Sequence, residues 1–294
     1  MRYYTAANTL FIRGSFRAAS TGICGGIHSV PTLLHHTISP GADAEEDPDK
    51  VLGRVAAGAG LDMEYTGFLT AIPSCQFCIL QYDFITVFIA AGIRREPPAG
   101  TGGITIIVTS TEGFDDAALV EAVMVATEAK AEALLALDLP ISGTPSDGVI
   151  VASEGDTCHR AAGRLSPAGT RIREAIAHGL PEALGRHDTG VRSERSGYFI
   201  FSRFKGAHWI EWVPETCPYY PCHFKGQACD FCYCPFYPCR DEGLGQWVES
   251  ANGGKVWNCA TCTLLHDPGT AAYLKEFPGA SLDELKLVSN AKKR

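Results

Sequence analysis

The hydrophobic pattern is clearest between residues 115 and 153, where it predicts a helix, a polar loop and a buried strand. Residues 117–126 are apolar on nearly every face, so we expect a helix that is covered on several sides. Asp115 or Asp116 can cap this helix, because a carboxylate accepts the free amide hydrogens of a first turn. Residues 149–152 form a short apolar run that predicts a strand within the core.

Shorter apolar runs, rich in β-branched and aromatic residues, predict further strands. They cover residues 8–13, 16–20, 30–38, 68–72, 77–81, 84–91, 104–109 and 198–204. The three runs between residues 68 and 91 predict an antiparallel meander, and residues 49–61 and 165–186 predict two more helices. Because several strands follow one another without intervening helices, the pattern predicts an α+β fold with a mixed, largely antiparallel sheet and packed helices.

Length and composition predict two domains. The 294 residues are enough for one large and one small domain. Residues 187–197 are polar and charged, which is typical of a linker. We therefore expect a large domain over residues 1–190, followed by a linker and a small cysteine-rich domain over residues 191–294. Trp209 and Trp212 are expected either to dock the small domain against the large one or to form the core of the small domain.

Charge and hydropathy limit the partners. A net charge of -8 argues against a nucleic-acid backbone as the main partner. The first twenty residues lack the apolar core of a secretory signal. The longest apolar run, residues 79–93, is too short to span a membrane and contains Asp83. We therefore expect a cytoplasmic protein with no nucleic-acid partner and no membrane partner, and the oligomeric state stays open.

Two glycine-rich loops and a histidine pair are candidates for chemistry. Residues 142–148 (SGTPSDG) place small oxygen-bearing side chains ahead of a buried strand, where sites are often built. Residues 20–26 (STGICGG) let backbone amides approach a ligand closely. His35 and His36 lie near the end of a predicted strand, so one faces in and the other faces out. The simpler alternatives are a turn closed by Asp147, an irregular hairpin loop and a half-buried histidine.

Eight of the twelve cysteines lie between residues 217 and 262. Without a secretory signal, such a cluster is more typical of metal ligands than of disulfides, which need an oxidising compartment. The ligands that we expect are Cys217, Cys222, Cys229, Cys232, Cys234, Cys239, Cys259 and Cys262. The two CxxC motifs would form one tetrahedral four-thiolate site, and the repeat of CPYYPC and CPFYPC would form another. Cys232 and Cys234 are two residues apart, so we expect them to bind different metals.

A further pair, Cys75 and Cys78, also has the CxxC spacing. The strand pattern on both sides of this pair favours burial over a metal or redox site.

Three segments carry a resemblance to a known family: ATEAKAEALL, SGTPSDGVIVASEGD and AGRLSPAGTRIREAIAHGLPEAL. They resemble the adenosylcobinamide amidohydrolase family, and the cysteine module resembles the small domain attached to some of its members. The resemblance covers about residues 8–188 and 217–267. It implies hydrolysis of the amide that joins aminopropanol to the corrin of adenosylcobinamide, which gives adenosylcobyric acid and 1-aminopropan-2-ol in corrinoid salvage.

The resemblance implies a corrinoid small molecule as the partner and zinc as a structural cofactor of the small domain. An iron–sulfur cluster is the alternative cofactor, and none is established for the hydrolase domain. Two other functions remain open. One is a corrinoid-binding or delivery protein without chemistry, and the other is a metal-dependent hydrolase whose cysteine module supplies the catalytic ion.

Amide hydrolysis needs a base, an acid and donors for the developing oxyanion. The resemblance favours His36 as the base or acid, and we expect Asp147 to be its orienting partner or an alternative base. Glu128 is a further acid–base candidate, because a carboxylate on a largely buried helix end needs a partner or a function. Thr144 is expected to act as an oxyanion donor.

Backbone amides near residues 22–26 are further candidates for oxyanion donors. Ser20 and Thr21 are candidates for a nucleophile, although no G-x-S-x-G motif supports them. The substrate contacts that we expect are Ser20, Thr21, Gly22, Gly25, Gly26, Thr66, Gly67, Thr70, Gly143 and Ser146.

Overall fold

A computed structural model describes most of the chain. The described residues are 1–38, 46–61, 64–73, 77–93, 102–188, 196–203, 206–213, 217, 219–232, 234–249 and 255–291. By its internal contacts the chain divides into two units, Ala7–Trp212 and Met1–Ala6 with Val213–Arg294. We name the first the sheet unit and the second the cysteine unit. The domain boundary expected after residue 190 stays a prediction about independent folding.

Fourteen strands and five helices make up the described structure. The strands are β1 Arg2–Ala6, β2 Thr9–Ser20, β3 Gly26–Thr37, β4 Thr66–Thr70, β5 Cys78–Tyr82, β6 Ile85–Ile93, β7 Gly102–Ser110, β8 Gly113–Phe114, β9 Gly148–Ser153, β10 Thr157–His159, β11 Gly197–Ser202, β12 His208–Glu211, β13 Gln246–Glu249 and β14 Lys255–Asn258. The helices are α1 Pro48–Gly58, α2 Asp116–Ala136, α3 Pro167–Asp188, α4 Pro268–Glu276 and α5 Leu282–Ala291.

The main sheet of the sheet unit has the strand order β12-β11-β5-β6-β7-β9-β2-β3-β4. Its parallel pairs are β11 with β5, β7 with β9 and β3 with β4, and the other neighbours run antiparallel. The predicted α+β fold with a mixed, largely antiparallel sheet is therefore confirmed. Two of the parallel pairs are joined through a helix, β3 and β4 through α1, and β7 and β9 through α2.

The predicted meander is only partly right. Strands β5, β6 and β7 do form one, but β4 pairs in parallel with β3 at the far edge of the sheet. The runs 8–13 and 16–20 form the single strand β2, whose register shifts between Arg13 and Phe16. Such an irregularity bends a strand without ending it, which is why the sequence there looks like two strands.

Helices α2 and α3 cover one face of the main sheet through a continuous apolar core. Asp115 caps α2 by accepting a hydrogen bond from the Ala118 amide at 2.8 Å, as predicted. The expectation that α2 is covered on several sides is wrong. Val120, Met124 and Leu135 are 47%, 57% and 61% exposed, so one side of the helix faces solvent.

The sheet folds back on its other face. Strands β3 and β7 are separated by β9 and β2 in the sheet order, yet His35 Nε2 lies 2.7 Å from Thr105 Oγ1. The His35 ring also packs edge-on against Phe77 and Phe68, with ring centroids 4.5 and 6.4 Å apart. These contacts are geometrically consistent only if β3 and β4 curl over the sheet.

The hairpin of β11 and β12 extends the sheet unit. Trp209 packs against the core of α2 and α3 and stacks on His178 at a centroid distance of 5.3 Å. Of the two roles expected for Trp209, a place in the core of the small domain is therefore wrong, and the docking role stays a prediction. Cys78 is buried in β5, as predicted, and burial raises the pKa of its thiol to about 12. Its CxxC partner Cys75 lies outside the described residues.

Within the part of the chain that the structure describes, no helix combines the length and the apolar character that crossing a membrane requires.

Candidate active site and cysteine clusters

A buried ion pair lies where β9 begins. Lys130 reaches from the last third of α2 to Asp147, and its Nζ is 2.5 Å from Asp147 Oδ2. The two side chains are only 9% and 11% exposed. Breaking such a pair leaves one charge uncompensated in a poorly solvated place, so the two residues depend on each other.

Asp147 organises the whole loop ahead of β9. Its Oδ1 accepts hydrogen bonds from the Ile104 amide at 2.9 Å and from Thr144 Oγ1 at 2.7 Å. Its Oδ2 accepts the Thr144 amide at 3.0 Å as well as Lys130 Nζ. These four donors match the roughly four acceptor positions of a carboxylate. The geometry therefore gives Asp147 the role of an anchor, and both donors of Thr144 point to it.

Gly143 lies directly against this ion pair. A Cβ at Gly143 would overlap both Lys130 Nζ and Asp147 Oδ2. The glycine is thus required by the close approach of the backbone to the two charges. Ser146, the other predicted contact in this loop, is exposed, and its amide donates to Thr144 Oγ1 at 3.3 Å.

The β2–β3 turn is attached to the same strand. Thr21 donates its amide to the Val149 carbonyl at 3.0 Å, and its Oγ1 accepts the Val149 amide at 3.0 Å. The turn is therefore held two residues beyond Asp147 along the chain. Thr21 Oγ1 also lies 3.3 Å from the Val149 carbonyl. Because this hydroxyl contacts both polar backbone groups of Val149, we interpret it as a group that holds the turn to β9 and not as a nucleophile.

The same turn is held from β4. Thr66 Oγ1 donates to Ser20 Oγ at 2.6 Å, and Ser20 Oγ also accepts the Gly22 amide at 3.1 Å. Ile23 and Gly67 exchange backbone hydrogen bonds of 2.8 and 3.2 Å. Five of the predicted substrate contacts therefore converge on one place: Ser20, Thr21, Gly22, Thr66 and Gly67.

The remaining turn glycines differ in their constraints. Gly26 has a φ of 103°, a conformation that favours glycine. A Cβ at Gly25 would lie 2.6 Å from the carbonyl oxygens of Gly22 and Ser20. Thr70 lies at the far end of β4, where its Oγ1 accepts the Ile72 amide at 3.1 Å. The structure therefore does not bring Thr70 to the turn.

The two histidines of β3 have different environments. His35 is fully buried, and burial lowers its pKa to about 3, so it stays uncharged at neutral pH. Its Nδ1 has no hydrogen-bond partner among the described residues. His36 is half-buried, with Nδ1 2.7 Å from Thr9 Oγ1. The expected pairing of His36 with Asp147 is not formed, because the donors at Asp147 come from Lys130, Thr144 and Ile104.

The expected burial of Glu128 on α2 is wrong, and its role as an acid–base residue stays a prediction. Glu128 was expected on a largely buried helix end, but it is exposed, whereas Lys130 is 7% exposed and paired. A signal for this was present. Lys130 follows the buried positions Ala122, Val125, Ala126 and Ala129 at helical spacing, which places it on the face that packs against the sheet.

The eight clustered cysteines divide into two sets of four thiols. Burial, together with a smaller contribution from nearby thiols, raises the pKa of Cys232 to about 11 and that of Cys234 to about 12. The thiols that act on Cys232 are Cys222, Cys229 and Cys217. Those that act on Cys234 are Cys262, Cys239 and Cys259. Each set therefore combines one CPxYPC repeat with one CxxC motif.

This division corrects one prediction and supports another. The two CxxC motifs do not share a set, because the CDFC motif lies with the first repeat and CATC with the second. Cys232 and Cys234 do belong to different sets, as their spacing predicted. Four backbone turns shape the sets, with amides at positions 220, 232, 237 and 262 donating to the carbonyls of Cys217, Cys229, Cys234 and Cys259.

Gln227 supports the first set. Its side chain is buried, and its Nε2 lies 3.2 Å from Cys222 Sγ and 3.4 Å from Cys229 Sγ. Its Oε1 accepts the His223 amide at 2.8 Å. Donors of this kind fix the direction of sulfur ligands around a metal.

Comparison with known proteins links both units to described families. Residues 2–191 match the adenosylcobinamide amidohydrolase family, and residues 208–289 match a family described as a cysteine-rich small domain. An adenosylcobinamide amidohydrolase of Methanosarcina mazei is 32% identical over 198 residues, which is 63% of this chain and 98% of that protein. A second one, of Halobacterium salinarum, is 36% identical over 97 residues, 32% of this chain and 40% of its own length.

An uncharacterized protein of Methanocaldococcus jannaschii is 48% identical over 82 residues, which is 26% of this chain and 69% of that protein. The family match over residues 2–191 covers more than half of the chain and contains both the β2–β3 turn and the Lys130–Asp147 ion pair. The chain therefore belongs to the adenosylcobinamide amidohydrolase family and also carries a cysteine-rich small domain.

Proposed function

We propose that this protein hydrolyses the amide between aminopropanol and the corrin of adenosylcobinamide, in corrinoid salvage. Water would add its OH to the carbonyl carbon and a proton to the amine nitrogen, which gives adenosylcobyric acid and 1-aminopropan-2-ol. The observation that carries the proposal is the family match over residues 2–191, which contains the converging turn and the buried ion pair.

We place the reaction at the Asp147 loop and the adjacent β2–β3 turn. Lys130 supplies a buried cation, and a preorganised positive charge stabilises the oxyanion of an amide under attack. Asp147 keeps Lys130 and Thr144 in place and acts as a positioning residue. The Gly22 and Ile23 amides already donate to Ser20 Oγ and the Gly67 carbonyl, so we assign further oxyanion donation to the amides that follow them in the turn.

We separately propose His36 as the general acid or the general base. It is the half-buried member of the histidine pair, and Thr9 orients its ring. His35 is a poor candidate because its pKa near 3 leaves it unable to take up a proton in a neutral solution. Glu128 keeps the role of an alternative acid–base residue only if substrate approaches along the exposed side of α2.

We further propose that the cysteine unit holds two structural zinc ions, one in each set of four thiols. Four-thiolate sites are typical of structural zinc and are closed to substrate. This makes the small domain a poor source of a catalytic ion. All of the described cysteines are free thiols, which fits a reducing, cytoplasmic compartment.

The activity is tested by mixing the full chain with adenosylcobinamide and measuring the released 1-aminopropan-2-ol. Release at many turnovers per chain supports the hydrolase. Stoichiometric corrinoid binding without release would favour a binding or delivery protein instead. A truncated chain should end after Trp212, since ending at residue 190 would remove β11 and expose the edge of β5.

A further inference from the structure

A second cluster of side chains lies at the opposite end of β7 and β9 from the Asp147 loop. These parallel strands pair from Thr105 with Gly148 to Ser110 with Ser153. Glu112 follows the end of β7, and Cys158 and His159 lie in β10, just beyond β9. The carboxylate oxygen, the sulfur and the imidazole nitrogen all lie within 4.8 Å of one another. Carboxyl ends of parallel strands are common places for ligand sites.

Local backbone geometry brings these neighbours together. Successive side chains of a regular strand point to opposite faces, so Cys158 and His159 would normally diverge. The parallel pairing of β10 with β8 shifts register between Thr157 and His159, and an irregularity of this kind redirects a side chain. The His159 carbonyl is fixed by the Asp115 amide at 3.0 Å, and Cys158 Sγ lies 3.7 Å from the Gly113 carbonyl.

The imidazole is held more firmly than the other two groups. The His159 ring stacks on Phe84 at a centroid distance of 5.1 Å and meets the edge of Phe114 at 5.3 Å. Its Nε2 lies 2.5 Å from Glu112 Oε2. The His159 side chain is 16% exposed, the Glu112 side chain is 45% exposed, and Cys158 is exposed. A fixed nitrogen donor thus faces an accessible carboxylate and thiol.

We propose that Glu112, Cys158 and His159 bind one divalent transition-metal ion, for which Zn²⁺ is the best match, with a fourth position open to solvent. Zinc accepts sulfur, nitrogen and oxygen donors together, and three protein ligands with an open position are typical of reactive rather than structural zinc sites. Bonds of roughly 2.0 Å to nitrogen and oxygen place these two atoms about 3.3 Å apart in a tetrahedral site. The Glu112–His159 contact therefore needs to open by less than ~1 Å, with the ion replacing the shared proton.

This site would be distinct from the two thiol sets in its donors and in its place in the sheet unit. A single thiolate, one imidazole and one carboxylate should hold the ion less tightly than four thiolates. The cysteine unit should therefore fill first, and the third ion should bind at a higher free Zn²⁺ concentration.

The test is equilibrium dialysis of the full chain against buffered Zn²⁺, with bound zinc counted by elemental analysis. Wild type should take up one ion per chain more than Cys158→Ser and Glu112→Gln over a range of free Zn²⁺. Cys24→Ser is the matched control, because it also removes an exposed thiol outside the clustered eight, and it should bind as wild type does. Thermal melts of the zinc-free forms establish that the variants are folded.

Equal zinc uptake by wild type, Cys158→Ser and Glu112→Gln at every free Zn²⁺ concentration would overturn the proposal. If a single variant retains partial zinc binding, the double variant Glu112→Gln/Cys158→Ser is measured instead. It removes two of the three ligands, keeps the packed His159 ring and should lose the additional ion. An additional ion that is lost equally from Cys24→Ser would also count against the site.

Discussion

The sheet unit and the cysteine unit differ in what fills their interiors. In the sheet unit, α2 and α3 pack on the strands through one continuous core of aliphatic side chains. The buried apolar cluster of the cysteine unit consists of Leu265, Leu274, Ala280 and Leu285, with Phe231 and Phe236 packed against it. Eight thiols in two sets accompany this small cluster. Burial of apolar area should therefore stabilise the first unit, and metal coordination the second.

Metal removal should separate the two units most sharply. Structural zinc contributes about 10–16 kcal/mol of apparent binding free energy in small finger peptides, so chelation should unfold the cysteine unit and leave the sheet unit folded. Because Phe231 and Phe236 pack against the core formed with α4 and α5, we expect loss of structure to extend beyond Cys262, the last of the clustered cysteines, and through α5. Hydrogen exchange followed by mass spectrometry measures this residue by residue.

The number of zinc ions in the cysteine unit can be counted separately from the site proposed in the sheet unit. In a Cys158→Ser background, which removes the site proposed in the sheet unit, two zinc ions per chain are expected. Cys232→Ser and Cys234→Ser should each lose a different ion. One ion per chain would leave a set without a metal, and iron with acid-labile sulfide would replace zinc by a cluster.

The Lys130–Asp147 pair is where the sheet unit departs from an apolar interior. Removing one partner of a buried pair costs about 3–5 kcal/mol, so Asp147→Asn and Lys130→Met should each lower the melting temperature and abolish turnover. The double variant Lys130→Met/Asp147→Asn leaves no unpaired charge and should recover most of the stability but none of the activity. Chemical denaturation and the aminopropanol assay measure the two effects separately.

This double-mutant cycle has two informative failures. Purely additive losses of stability would mean that the two charges do not interact. Turnover at the wild-type rate in the double variant would remove the pair from the mechanism.

If the chemistry belongs to the sheet unit, a histidine variant there should stop turnover without changing the metal content of the cysteine unit. We expect His36→Ala to lose at least ~100-fold in kcat, the scale of general acid–base catalysis. Thr9→Val, which removes the contact to His36 Nδ1, should lose less. A loss confined to a His35 variant of equal stability would instead assign the role to the buried face of β3.

His35 should make the sheet unit sensitive to acid. The pKa of His35 is about 3 in the folded chain and near 6.5 in the unfolded chain. Between these two pH values the unfolded chain binds a proton at this histidine and the folded chain does not. Stability is then complete above pH 6.5 and falls as the pH drops toward 3. Lowering the pH from 7.5 to 5.5 should remove about 1.4 kcal/mol, and His35→Leu should not show this loss. Urea denaturation at the two pH values, compared between the two proteins, isolates the histidine from other groups.

What the sequence could predict depended on distance along the chain. Local signals placed α2, its Asp115 cap and the strand at residues 149–152, because periodicity and capping act within a few residues. The partner of Lys130 is Asp147, which lies 17 residues away beyond a loop. The periodicity of α2 relates only residues within the helix, so it does not reveal this pair.

The pairing of β4 with β3 and the composition of the thiol sets were missed for the same reason. Strand spacing does not show which strands pair across the sheet. The spacing of the eight cysteines is compatible with more than one division into two sets of four. The backbone turns of the folded chain determine which cysteines lie near one another. Family resemblance suggested His36, but resemblance does not show which side chains meet.

The smallest expected effect compares two helix caps of nearly equal geometry. Asp115 accepts the Ala118 amide at 2.8 Å in the sheet unit, and Asp267 accepts the Thr270 amide at 2.8 Å in the cysteine unit. Each substitution by alanine should cost about 1 kcal/mol, since it leaves a first-turn amide without its acceptor. Asp115→Ala should lower the sheet-unit transition whether or not zinc is present. Asp267→Ala should lower only the cysteine-unit transition, and its effect should vanish after chelation, because a cap cannot stabilise a helix that is already unfolded. A shift of the sheet-unit transition by Asp267→Ala would show instead that the two units unfold as one cooperative structure.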